Sequence, residues 1–137
     1  MSKSIKIILA DFHEVYLEKL SILIEHQDGF EVLAIANDAE ELLVAAKDKI
    51  PDVVLVDAKL ILDNENDLLE QIRNINNSIK IISLSLHADP ETVHDLIQKG
   101  STGFLLKKSD FKEFVLGINQ VHRGKVFLDK ESSDLLF

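Results

Sequence analysis

The chain alternates between short unbroken apolar runs and longer stretches in which apolar residues recur every three or four positions. The clearest run lies in Pro51 to Asp57, PDVVLVD, where Val53, Val54, Leu55 and Val56 follow one another without a polar interruption. A strand with no polar face must be covered on both sides, as in the middle of a parallel sheet. Ile5 to Ala10 reads similarly apart from Lys6 and stops on Asp11. Lys80 to Ser85 gives a further strand and Phe104 to Leu106 a short one, whereas Glu31 interrupts Phe30 to Ala36 and marks it as an edge strand.

Helical spacing fills the intervals. Leu17, Leu20, Leu23 and Ile24 predict a helix from Glu14 to His26, closed by Asp28-Gly29. Asn37 or Asp38 caps a second helix with Leu42, Leu43, Ala45 and Ala46 inward, ending before Pro51. A polar loop, Asp63 to Asn66, precedes a third helix over Asp67 to Asn76 with Leu68, Leu69 and Ile72 on one side. Asp89-Pro90-Glu91 opens a fourth, carrying Val93, Leu96 and Ile97 as far as Gly100. Asp110 opens a fifth with Phe111, Phe114, Val115, Ile118 and Val121 inward, ending near Arg123-Gly124.

Strict β–α alternation predicts an α/β fold: a doubly wound, five-stranded parallel sheet with helices on both faces, because each crossover is right-handed and each helix needs a sheet face to cover. The first, third and fourth strands are the most continuously apolar and the second and fifth the weakest, which ranks the flavodoxin-like order 2-1-3-4-5 first. After Gly124 the pattern lapses. Val126 to Leu128 is briefly apolar, and DKESSDLLF reads as a linker or the start of a new helix.

At 137 residues the chain fits one domain able to bury roughly two-thirds of its unfolded surface. With 46% hydrophobic and 28% charged residues the balance is globular. No apolar run suits a membrane span and no signal-peptide pattern is present, so a soluble, cytoplasmic protein is the expectation. The absence of cysteine excludes disulfides and thiolate metal sites. A net charge of −9 repels phosphate backbones, so nucleic acid would be contacted only through a domain absent from this chain.

In open α/β sheets, ligands gather beyond the carboxyl ends of the strands. The proposed order brings Asp11, Asp57, Ser85 and Lys107 to one such rim. Neighbouring carboxylates repel unless a cation lies between them, and Mg²⁺ typically takes one or two carboxylates with water and phosphate oxygens. A lysine and a hydroxyl opposite can meet an incoming phosphoryl group. The chemistry suggested is covalent capture of phosphate by a carboxylate. His13 and His87 lack a second histidine at metal spacing and receive no role, and Lys107-Lys108 with Lys112 reads as a solvated basic patch.

These residues resemble the receiver domain of two-component response regulators, in particular the LuxR/NarL-type branch whose output is a helix-turn-helix. The matching stretches are IKIILADFH, PDVVLVD, IISLSLHAD and KGSTGFLLKK, and the likeness covers almost all of residues 4–128. It implies that Asp57 is the phospho-acceptor for a sensor histidine kinase, that Lys107 contacts the phosphoryl group, and that Ser85 and Phe104 are a switch pair moving inward together. It implies Mg²⁺ on Asp11 and Asp57, and a regulatory role rather than an enzymatic one. The fourth helix, fifth strand and fifth helix would form the face that binds a partner or a second copy. Residues 1–124 would be the receiver, and residues 125–137 the linker or start of a missing C-terminal output domain that regulates transcription.

Two departures from the family pattern change the expectation. Phe12 stands where the second of two adjacent acids belongs, which weakens the magnesium site. After the acceptor the family reads Met-Pro and then glycine, where this chain has Lys59-Leu60-Ile61 and Glu65; Lys59 adds a positive charge that either partly replaces a metal or partly excludes it. The rival reading keeps the fold and drops the chemistry, leaving a phosphorylation-independent dimerisation or docking module. An α/β enzyme using the same rim ranks last, since the chain lacks a glycine-rich phosphate loop, a flavin loop and a paired histidine and nucleophile.

Overall fold

The computed structural model describes residues 4–136. Six parallel strands form one sheet in the order β2-β1-β3-β4-β5-β6. The strands are β1 (Ile5–Ala10), β2 (Phe30–Ala36), β3 (Val53–Asp57), β4 (Lys80–Ser85), β5 (Gly103–Leu106) and β6 (Phe127–Leu128). The helices are α1 (Glu14–Glu25), α2 (Ala39–Asp48), α3 (Ala58–Leu62), α4 (Leu68–Ile75), α5 (Pro90–Lys99), α6 (Phe111–His122) and α7 (Lys130–Leu136). The predicted α/β class and the order of the first five strands hold, and β2 is an edge strand.

Alternation along each strand divides the interior into two apolar layers. Ile7, Leu9, Val53 and Leu55 meet Leu17, Leu20 and Ile24 of α1 and Phe114, Ile118 and Val121 of α6. Ile8, Ala10, Val54 and Val56 meet Leu42 of α2, Leu68, Leu69 and Ile72 of α4, and Val93 and Leu96 of α5. Every residue of β3 is buried, as its unbroken sequence requires. Leu23 and Ile97, assigned inward from their spacing, are instead exposed at the margins of their helical stripes.

Local chemistry sets the helix ends. Asp38, rather than Asn37, caps α2 by accepting a bond of 2.8 Å from the Glu41 N–H, while Glu41 reaches back to the Asn37 N–H. Asp67 and Asp89 cap α4 and α5 in the same way, and Gly100 ends α5 at φ 112°, a conformation costly for a residue with a Cβ.

The sheet has six strands rather than the predicted five. β6 is too brief to show a period, and it forms because the Phe127 N–H bonds to the Thr102 carbonyl and the Asp129 N–H to that of Phe104. α7 follows, with Asp129 buried and accepting from the Ser132 hydroxyl and N–H, and it packs on α5. The second difference is α3, which lies between Asp57 and the polar loop, in residues to which the sequence reading assigned no element. Its five residues are too few for helical periodicity to register.

Gly103 lets β5 lie close to its neighbours. A Cβ there would come within 2.7 Å of Ile82 Cγ1 and 2.9 Å of Val121 Cγ2. Gly103→Ala is therefore expected to destabilise the fold by about 1–3 kcal/mol, read as a lower urea midpoint with an unchanged slope.

Candidate functional site

Asp57 closes β3 and also caps α3, so its carboxylate is fixed from two directions. Its Oδ1 accepts a bond of 2.7 Å from the Lys59 N–H. Its Oδ2 lies 2.5 Å from the ammonium of Lys107, the residue after β5. That ammonium is also 2.5 Å from Oδ2 of Asp11, the residue after β1. All three side chains are buried, Asp11 completely. The parallel register brings these strand ends together, and Lys107 is itself held by a 2.8 Å bond from its N–H to the Ser85 carbonyl.

Of the four predicted rim residues the structure thus clusters Asp11, Asp57 and Lys107 around one point. Ser85 ends β4 beside them, but its hydroxyl donates to the His87 carbonyl at 2.9 Å and stays within its own loop. Phe104 is buried in the layer formed with α4 and α5, already on the inner side. The side chain of Lys59 is exposed, and its backbone N–H is bonded to the site. Lys108 points away to an exposed ion pair with Glu131, so Lys107 belongs to the pocket and not to a basic patch.

Two further residues enter the pocket: His13, to which the sequence reading gave no role, and Tyr16, which it had not singled out. His13 Nδ1 lies 3.0 Å from Asp11 Oδ1 and 3.2 Å from Lys107 Nζ. The Tyr16 ring lies under the ammonium, 5.1 Å from its centroid, and its buried hydroxyl makes no hydrogen bond. Burial first, then the carboxylates of Asp11 and Asp57, push the Tyr16 hydroxyl well above the ordinary tyrosine range. The available signal was position: His13 immediately precedes α1 and Tyr16 lies in its first turn, both next to the rim.

A divalent metal, which the resemblance implies, can be tested against the donors. Oxygens of Asp11 and Asp57 and a ring nitrogen of His13 all lie within 4.8 Å of one another. The two carboxylates meet the requirement of a hard cation, and Asp11 Oδ2, completely buried, has the Lys107 ammonium as its counter-charge. The residues fit such an ion once Lys107 gives up its place between the acids.

Removing the ammonium should expose what it balances. Lys107→Met is expected to cost about 3 kcal/mol at neutral pH, because two buried acids lose their counter-charge, with part of the loss restored by adding Asp57→Asn; chemical denaturation of the three variants measures both. The raised Tyr16 hydroxyl favours the folded state at neutral pH, and that contribution declines above pH about 10, where the unfolded tyrosine ionises. Tyr16→Phe should therefore flatten the alkaline fall in stability measured by thermal melts.

Comparison with known proteins identifies the family. A family model described as the response regulator receiver domain matches residues 7–119. The transcriptional regulatory protein LnrK of Bacillus subtilis (strain 168) is 28% identical over 127 residues, covering 93% of this chain and 58% of that protein. The oxygen regulatory protein NreC of Staphylococcus aureus (strain JH9) is 29% identical over 126 residues, covering 90% of this chain and 58% of that protein. The chain therefore spans less than two-thirds of the length of these curated relatives. A crystal structure of a LuxR-family two-component response regulator from Aurantimonas sp. SI85-9A1 superposes with a TM-score of 0.84 at 25% identity, covering 96% of this chain and 94% of that one. Among the described residues no helix is long and apolar enough to cross a membrane. The chain belongs to the response regulator receiver domain family, with regulators of the LuxR/NarL type as its relatives.

Proposed function

We propose that Asp57 accepts a phosphoryl group from a sensor histidine kinase or a small phosphodonor, and that the modified domain changes its affinity for a partner or a second copy. The observation that carries this reading is the buried Asp57 carboxylate held between the Lys59 N–H and the Lys107 ammonium. An Asp57 oxygen attacks phosphorus as the P–N bond to the donor imidazole breaks, and the bonding pair leaves with the imidazole. Lys107 and the Lys59 N–H then meet the phosphoryl oxygens, two donors already in place before the charge arrives. A divalent cation held by Asp11 and Asp57 would supply further positive charge to the transferred group.

Phosphorylation adds negative charge and acceptor oxygens beside the end of β4. The Ser85 hydroxyl, now spent on the His87 carbonyl, has a stronger acceptor to turn toward. Phe104 already lies inward, so Ser85 and its loop have the larger movement to make. Such a turn shifts the population toward a state that differs on the face made by α5, β5 and α6, the candidate surface for a partner or homodimer. That face also includes β6 and α7, which pack on β5 and α5. Transcriptional output would come from a helix-turn-helix domain following residues 125–137, and the role of this domain is that of a regulatory acceptor.

The second reading, a phosphorylation-independent docking module, is favoured by Phe12 in place of an acid and by an ammonium already shared between both carboxylates. Intact mass after treatment with acetyl phosphate and Mg²⁺ separates the two. Wild type should gain one phosphoryl group and Asp57→Asn none; no gain by wild type, under conditions that label an ordinary receiver, overturns the acceptor reading. In that event Phe12→Asp should raise labelling sharply from near zero.

A further inference from the structure

His13 occupies a position that hydrogen bonding alone does not satisfy. Lys107 Nζ is an ammonium and can only donate, so its 3.2 Å contact requires a lone pair on His13 Nδ1. The 3.0 Å contact of the same nitrogen with Asp11 Oδ1 requires a proton there. One nitrogen cannot provide both. Asp11 Oδ1 already receives the His13 backbone N–H at 2.9 Å, and Asp11 Oδ2 faces the Lys107 ammonium at 2.5 Å.

A metal cation removes the conflict, because it takes lone pairs from all of these atoms at once. Bonds of about 2.1 Å to neighbouring donors place those donors roughly 3 Å apart, which is the separation found between Asp11 Oδ1 and His13 Nδ1. The Phe12 ring packs against the imidazole, with centroids 4.6 Å apart and planes inclined by 41°, and so restrains its orientation. The residue standing where a second acid is expected thus helps to aim the ring beside it.

We propose that His13 is a metal ligand, completing with Asp11 and Asp57 a mixed nitrogen and oxygen site that favours an imidazole-accepting divalent transition metal over Mg²⁺. Imidazole suits ions such as Ni²⁺, Zn²⁺ and Fe²⁺, whereas Mg²⁺ is held by oxygen ligands and water. Lys107 leaves the space between the carboxylates when the ion enters, and its flexible stem keeps the amine within reach of a phosphoryl group. The proposal deepens the acceptor reading by naming the class of cation that serves it.

Calorimetric titration of the whole chain with Ni²⁺ and with Mg²⁺ tests it, since the change caused by His13→Ala isolates the imidazole from the generally stronger binding of Ni²⁺. The expected result is a Ni²⁺ affinity lowered about tenfold or more, with that for Mg²⁺ changed by no more than about twofold. Paramagnetic Ni²⁺ should broaden the NMR signals of the His13 ring before those of His26, His87, His94 and His122. An unchanged Ni²⁺ affinity, an equal loss for both ions, or first broadening at another histidine overturns the proposal. His13 is half exposed, so the variant should fold, and His13→Asn provides a second variant of closer size. Acetyl phosphate labelling of the same samples keeps the claims apart: labelling of Asp57 with metal binding indifferent to His13 refutes the ligand and leaves the acceptor standing.

Discussion

The arrangement of the site depends on one ammonium shared by two buried carboxylates. Lys107 is 2.5 Å from both Asp11 and Asp57, in surroundings where water does little to screen charge. A single positive charge offsets only one of the two negative ones, so the pocket keeps an appetite for a second cation. It also holds Asp57 beside the ammonium that, on the proposed reading, would meet a phosphoryl oxygen. The same imbalance adds to the effect of burial in raising the ionisation range of Tyr16, whose oxyanion would increase the unbalanced charge.

That ammonium can reach both acids only because the strands run parallel in the order in which they do. β1 and β3 are neighbours, and β5 is separated from β3 by β4 alone, so a side chain as long as lysine spans the gap from the end of β5. The apolar runs before Asp11, Asp57 and Lys107 thus have two effects, filling the interior and ending it along one line. Here the fold and the site are the same piece of information, which is why so much of both could be read from the residues. VVLV announced a central strand, and the residue that interrupted the run was the one to examine.

What escaped the sequence did so for identifiable reasons. α3 and β6 are too short for a helix or strand period to register; α3 is capped by Asp57, the residue before it, and β6 is held by the Thr102 and Phe104 carbonyls. His13 could not be distinguished from any loop histidine, because its neighbour in space, Lys107, lies 94 positions away. Lys59 makes a contact of a kind the sequence reading did not consider. Its side chain drew attention to charge, but the atom in use is the amide, which every residue except proline possesses. Ser85 was placed correctly at the rim, yet which acceptor its hydroxyl selects depends on loop geometry that composition does not encode.

The two-residue strand β6 has an effect apart from signalling. Without it, β5 would end the sheet and present unpaired amides and carbonyls along its outer side, a ready template for strand addition by another chain. Phe127 and Leu128 cover that side, and the chain then turns at once into α7, so the new border is too brief to recruit a neighbour. Protection against aggregation at this margin thus comes from a segment that, read as letters alone, resembled a tail.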